Sequence, residues 1–189
     1  MRIGIDISSI TPRRSGIGTY TYELVRRLVS CRRHEYVLLF NSLRQPVPDF
    51  PELHAPHVKV RRLRLPGPLL LKAWRRLNRP SVESLVGPVD LFHAPATYLP
   101  PQRAGARVVT VHDLHFREPG SDVHSLGGRY LNWIFENRLR EADLILTPDL
   151  AAVPDLEQLG VRVRVIPEGV DERFYGEPEP EAAARVRAR

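Results

Sequence analysis

The chain has 189 residues, 42% of them hydrophobic and 26% charged, with a single cysteine, Cys31. A chain of this length can bury roughly 70% of its unfolded surface, so one large domain needs no staple, and one cysteine excludes an internal disulfide. No apolar run approaches the ~20 residues that span a bilayer, and the start Met1-Arg2-Ile3-Gly4-Ile5-Asp6 lacks the long apolar stretch of a secretory signal. The lone cysteine fits a reducing cytoplasm. A net charge of +6 and a pI near 10.0 suit an anionic partner: nucleic acid, an anionic membrane or phosphorylated small molecules.

Ile3–Ile7 reads as the first strand. A loop holding Pro12, Arg13, Arg14, Ser15, Gly16 and Gly18 follows, and then Ile17, Tyr20, Leu24, Val25 and Leu28 recur at helical spacing. Tyr36–Phe40 and Val58–Leu65 are the next strands. Pro66-Gly67-Pro68 opens a helix over Leu69–Leu77 that closes before Pro80, and a short helix covers Val82–Val86. Leu91–His93 is a short strand. Arg107–His112 is a β-branched run that stops at His112 and Asp113. Leu126, Tyr130, Leu131, Ile134, Phe135 and Leu139 mark an amphipathic helix, and Leu144–Leu146 and Val163–Ile166 are the last strands. Strands alternating with helices predict an α/β, doubly wound, mainly parallel sheet with helices on both faces. The composition changes at Glu172, so residues 1–171 read as the domain and 172–189, with Glu177-Pro178-Glu179-Pro180, as a linker entering a helix.

Four constellations carry chemistry. Ser15-Gly16-Ile17-Gly18-Thr19 lies between the first strand and helix, where glycines admit a ligand to the backbone and a helix N-terminus favours an anion. The same residues also suit a tight turn capped by Thr19. His93 ends its strand before Pro95, on the edge that also carries His112, as a ligand contact or as a satisfied interior histidine. His112 and Asp113 arrive at the carboxyl edge of a strand, the place where open α/β sheets bind ligands. An imidazole beside a carboxylate can be oriented by it and can contact a sugar hydroxyl or phosphoryl oxygen. The His112-x-x-His115 spacing is compatible with a metal, but no cysteine or second carboxylate stands at ligand spacing.

The fourth is the stretch from Lys59 to Arg79. It holds Arg61, Arg62, Arg64, Lys72, Arg75 and Arg76, no acidic residue, and interleaved leucines with Trp74. This composition fits peripheral contact with an anionic membrane, or a helix with a core stripe and a solvated basic face. No helix-turn-helix, RNP or zinc pattern points to nucleic acid. There is no Gly-x-Ser-x-Gly elbow and no P-loop.

Four landmarks stand in order: Met1–Asp6 with Ser15-Gly16-Ile17-Gly18-Thr19-Tyr20; Asp90-Leu91-Phe92-His93-Ala94-Pro95; Thr110-Val111-His112-Asp113-Leu114; and Ala142–Thr147 ahead of Val165-Ile166-Pro167-Glu168-Gly169-Val170-Asp171. Together they resemble the N-terminal, acceptor-side domain of family 4 glycosyltransferases of the GT-B fold. The resemblance implies a Rossmann-like domain facing a second, donor-binding one across a cleft. It implies transfer of a hexose, often mannose or glucose, from a GDP- or UDP-sugar with retention and without an obligatory metal or other cofactor. It places Gly16 and Gly18 under the donor diphosphate, His112 at the transferred sugar with Asp113 supporting it, and His93 and Tyr20 on the acceptor side. A glycan or lipid-linked acceptor, and the cytoplasm or the inner membrane face as the setting, are the expectations that go with this resemblance.

The donor-binding domain is expected beyond Arg189, in the same polypeptide or as a partner in trans. The chain departs from the family pattern at Thr147-Pro148-Asp149, at Pro154, which is expected to interrupt the next helix, and at Glu168 in place of an asparagine. A carboxylate at 168 would oppose a diphosphate nearby. Two rival readings stand beside the enzyme: a non-catalytic acceptor- or membrane-binding module, and a degenerate fragment.

Overall fold

The computed structural model describes residues 1–13, 15–118 and 126–170. The predicted linker at 172–189 lies outside them. Seven strands form one sheet: β1 (Arg2–Asp6), β2 (Glu35–Asn41), β3 (Val58–Leu63), β4 (Leu91–Ala94), β5 (Ala106–Thr110), β6 (Leu144–Thr147) and β7 (Val163–Val165). Their order is β3-β2-β1-β4-β5-β6-β7, and every described pairing is parallel. Among the described residues five α-helices are interleaved: α1 (Gly16–Ser30), α2 (Gly67–Leu77), α3 (Val82–Val86), α4 (Leu126–Asn137) and α5 (Val153–Glu157). This is the doubly wound, Rossmann-like α/β architecture.

Side chains alternate across a strand, so a sheet covered on both faces needs apolar residues at every position. Strand β2 shows this directly. Val37 and Leu39 join one buried cluster with Val82, Val86, Ile134 and Leu156, while Tyr36, Leu38 and Phe40 join the other with Val25 and Val29 of α1. The continuous run Tyr36–Phe40 is thus a doubly buried strand rather than a one-faced one.

Two sequence expectations change. Strand β5 ends at Thr110, two residues earlier than expected, which puts His112 and Asp113 in the loop beyond it. Pro154 does not interrupt a helix. It occupies the first turn of α5, where a missing N–H costs no intrahelical bond. The Thr147-Pro148-Asp149 segment is also well satisfied, since the Asp149 N–H donates to Thr147 Oγ1 at 3.1 Å.

Helix α1 sits on the loop after β1 because two of its residues are small or hydroxylated. Ser9 Oγ donates to Thr21 Oγ1 at 2.9 Å. Gly18 is buried, and a Cβ there would stand 2.6 Å from the Ser9 carbonyl oxygen. A Cβ on Gly16 would meet nothing within 4 Å. Gly18→Ala should therefore destabilise the chain by about 1–3 kcal/mol in urea unfolding, because backbone must move. Gly16→Ala should leave stability within about 0.5 kcal/mol.

Candidate active site

Strand order reverses between β1 and β4. Their chains leave toward opposite flanks, and a cleft of about 450 Å³ opens at the carboxyl ends of the strands. Asp6 at the end of β1, Tyr98 beyond β4, and His112 and Asp113 beyond β5 all line it. Ile17 of α1 and Trp74 of α2 form part of its walls.

The His112 ring is 11% exposed and held on three sides. Its Nε2–H donates to the Pro95 carbonyl at 2.9 Å, which fixes the proton on that nitrogen because a carbonyl only accepts. Its Nδ1 lies 3.1 Å from Glu168 Oε1, a contact that becomes an ion pair when the ring takes a second proton. The Tyr20 ring meets it edge to face, centroids 4.8 Å apart, and the Tyr20 hydroxyl is 3.3 Å from Thr110 Oγ1. Burial raises the pKa of that phenol. Tyr20 thus buttresses His112 from α1.

Asp113 has a different place from the expected one. It lines the cleft, but its carboxylate accepts the His115 backbone N–H at 3.0 Å and makes no described bond to His112. Glu168, which the sequence marks only as a departure, is the carboxylate that faces the ring. His93 takes the interior one of its two expected places rather than the acceptor-side contact that the resemblance implies. It is 5% exposed, is not on the cleft wall, and its Nε2 pairs with Thr110 Oγ1 at 2.9 Å. Burial, and secondarily the neighbouring His112, lowers its pKa to about 4, so it is a neutral interior histidine behind the site.

The glycine turn divides into two roles. Gly18 is demanded by packing on Ser9, as described above. The N-cap is Ser15, not Thr19: its Oγ accepts the Gly18 N–H at 3.2 Å. Helix geometry leaves the N–H groups of Gly16 and Ile17 without an intrahelical acceptor. That end of α1 therefore offers donors and a partial positive charge beside the cleft.

Asp6 and Tyr98 escape the sequence reading altogether. Asp6 is 5% exposed, and its Oδ1 accepts the Ser8 N–H at 2.7 Å. Burial raises its pKa, and hydrogen bonding from Tyr98 and Ser8 only partly offsets this. Burial and the facing carboxyl push the Tyr98 phenol up as well. His115 is paired with Glu118 at 2.8 Å, and among the described residues no three His, Cys, Asp or Glu side chains are arranged to hold a metal.

The basic side chains of the 59–79 stretch are not among the described lining of the cleft. Lys59, Arg61 and Arg62 are exposed on β3, the edge strand, and Lys72 and Arg76 are exposed on α2, whose Leu70 and Trp74 are buried. The Arg75 guanidinium lies over the Trp133 ring, 5.4 Å from its centroid.

Residues 14–174 match the family model Glycosyltransferase Family 4. Among solved structures the chain is similar to sucrose-phosphate synthase from Thermosynechococcus elongatus, with a TM-score of 0.54 and 14% identity over 100% of this chain and 98% of that one. At that identity the likeness speaks for the fold. No curated protein matches the chain.

His93 makes stability pH-dependent. Its folded pKa is depressed, so the unfolded chain takes up the proton first. The contribution is whole above the unfolded value of about 6.5 and is lost as pH falls toward about 4. Urea unfolding at pH 5 should show about 2 kcal/mol less stability from this group than at pH 7. His93→Gln should remove that part of the slope; an unchanged slope would contradict the assignment.

Proposed function

The chain belongs to glycosyltransferase family 4, and on that premise we propose that it is the acceptor-binding half of a hexosyltransferase that uses a nucleotide-sugar and retains anomeric configuration. One observation carries the reading: His112, fixed by the Pro95 carbonyl and Tyr20, stands on the wall of a cleft that the N-terminus of α1 also borders. The transferred hexose would meet His112. The departing diphosphate is an anion, and the open N–H groups of Gly16 and Ile17 would meet it, with a helix-end contribution of about 0.3–1 kcal/mol. That contribution is small, so most donor binding falls to a second domain, covalently joined or in trans. GDP- or UDP-hexose as donor and a metal-independent reaction complete the reading.

Glu168 matters in this reading. It occupies the Nδ1 side of His112, and its carboxylate would repel a diphosphate. Glu168→Asn should therefore favour donor engagement rather than impair it.

The test combines the chain with a separately produced donor-binding domain of this family and radiolabelled GDP- or UDP-hexose. Transfer should appear on mixing and fall by about a hundredfold with His112→Ala, the scale of losing one transition-state contact. Persistent inactivity with a folded partner, or activity indifferent to His112→Ala, would contradict it.

A specific observation also favours contact with a membrane at its cytoplasmic face. Leu69 is 61% exposed on α2, beside exposed Lys72 and Arg76 one turn on, and Leu65 and Leu77 are exposed nearby. Among the described residues no helix is long and apolar enough to cross a membrane. At about 1 kcal/mol per basic residue, such a face gives reversible attachment. The chain should float with phosphatidylglycerol vesicles and not with phosphatidylcholine ones. Lys72→Gln with Arg76→Gln should abolish flotation, whereas Arg75→Gln, already engaged with Trp133, should weaken it less. Equal binding to both vesicle types would contradict the contact.

A further inference from the structure

The charge of this protein is divided in a way that bears on what the cleft accepts. The chain carries 28 lysines and arginines, yet none of those among the described residues lines the cleft. Its ionisable lining consists of Asp6, Asp113, Tyr98, Tyr130 and His112, and the His112 nitrogens face Pro95 and Glu168. Trp74, Tyr98, Phe116 and Tyr130 give the walls aromatic surface, and Asp6 reaches the cleft from the end of β1.

We propose that the cleft takes an uncharged polyol ring, a sugar or cyclitol without a phosphate, with one hydroxyl donating to the Asp6 carboxyl beside Tyr98. The inference rests on the acceptor-side reading above and narrows it to a substrate class. The chemistry follows from the lining. A ring hydroxyl is a donor that a carboxylate can accept strongly. The C–H face of such a ring is apolar and fits an aromatic wall. A phosphomonoester carries close to two negative charges at neutral pH, and here it would face two carboxyl groups with no lysine or arginine among the described lining residues to receive it.

Asp6 is a buried carboxyl that also lines the cleft. No described ion pair offsets its burial, and its raised pKa means that ionising it costs the folded state stability. That cost is absent below the unfolded carboxylate value and grows as pH rises toward the folded one. Asn at this position keeps an oxygen for the Ser8 N–H and removes the charge.

The test is an NMR titration of the 189-residue chain, read at the Trp74 indole N–H, which donates to the Pro80 carbonyl at 3.0 Å. The probes are two matched pairs: methyl α-mannoside against mannose 6-phosphate, and myo-inositol against inositol 1-phosphate. At least one neutral member should shift the indole saturably, and its phosphorylated partner should bind about tenfold weaker or less. Asp6→Asn should weaken the neutral probe about tenfold, the scale of a hydrogen bond to a charged group, while raising Tm at neutral pH. Tyr98→Phe, which removes only a hydroxyl, gives the same test of that contact should Asp6→Asn not fold. A phosphorylated probe that binds as tightly as its neutral partner overturns the substrate class and leaves the acceptor reading standing. Silence from all four probes overturns both. Unchanged affinity in the Asp6 and Tyr98 variants, or a lower Tm in Asp6→Asn, overturns the role given to Asp6.

Discussion

Parallel pairing puts the carboxyl ends of all seven strands on one edge of the sheet, and the order β3-β2-β1-β4-β5-β6-β7 makes the chain diverge between β1 and β4. Everything at the site depends on that divergence. It separates the loop after β1, which leads into α1, from the loops after β4 and β5, which carry Tyr98 and His112. The gap left between them is the cleft. Asp6 reaches it because it is the last residue of β1, and the α1 terminus borders it because Gly18 lets that helix settle on Ser9.

The site is also built in layers behind the cleft. Thr110, the last residue of β5, is within hydrogen-bond reach of both His93 and Tyr20, and Tyr20 in turn braces His112. A neutral His93 holds this arrangement without adding charge. The α2 helix performs a second division of labour. Its inward residues Leu70 and Trp74 face the cleft, its outward residues Lys72 and Arg76 face solvent, and Arg138 anchors its end through Asn78 Oδ1 at 3.1 Å. A protein with an excess of basic side chains thereby keeps a cleft whose described lining has none.

Much of this was legible in the residues, and the failures have physical causes. The apolar and β-branched runs locate the seven described strands, most clearly β2, where burial on two faces leaves little freedom of composition, and Val82–Val86 matches α3 to the residue. His112 was legible because a strand run ended there. Its partner Glu168 was not, since the two are 56 positions apart and only the register of β5, β6 and β7 brings them together. In the sequence Asp6 gives no sign of its place until the strand order shows that β1 borders the switch. His93 carries the same sequence signal as His112, a histidine at a strand end, but burial separates their roles. Pro154 reads as a breaker because the pattern does not reveal that a helix begins there. For the basic stretch, composition gives the charge but not the direction in which it points.

The reversal between β1 and β4 opens the cleft proposed above to hold a sugar-like ring. A crystal of the chain soaked with methyl α-mannoside or myo-inositol tests that role most directly. The account predicts ordered density above the ends of β1 and β4, with a hydroxyl at the Asp6 carboxyl and the ring within reach of His112. Density confined to the outer face of α2 or to the hollow beside His115 and Asp149, with this cleft empty, would contradict it.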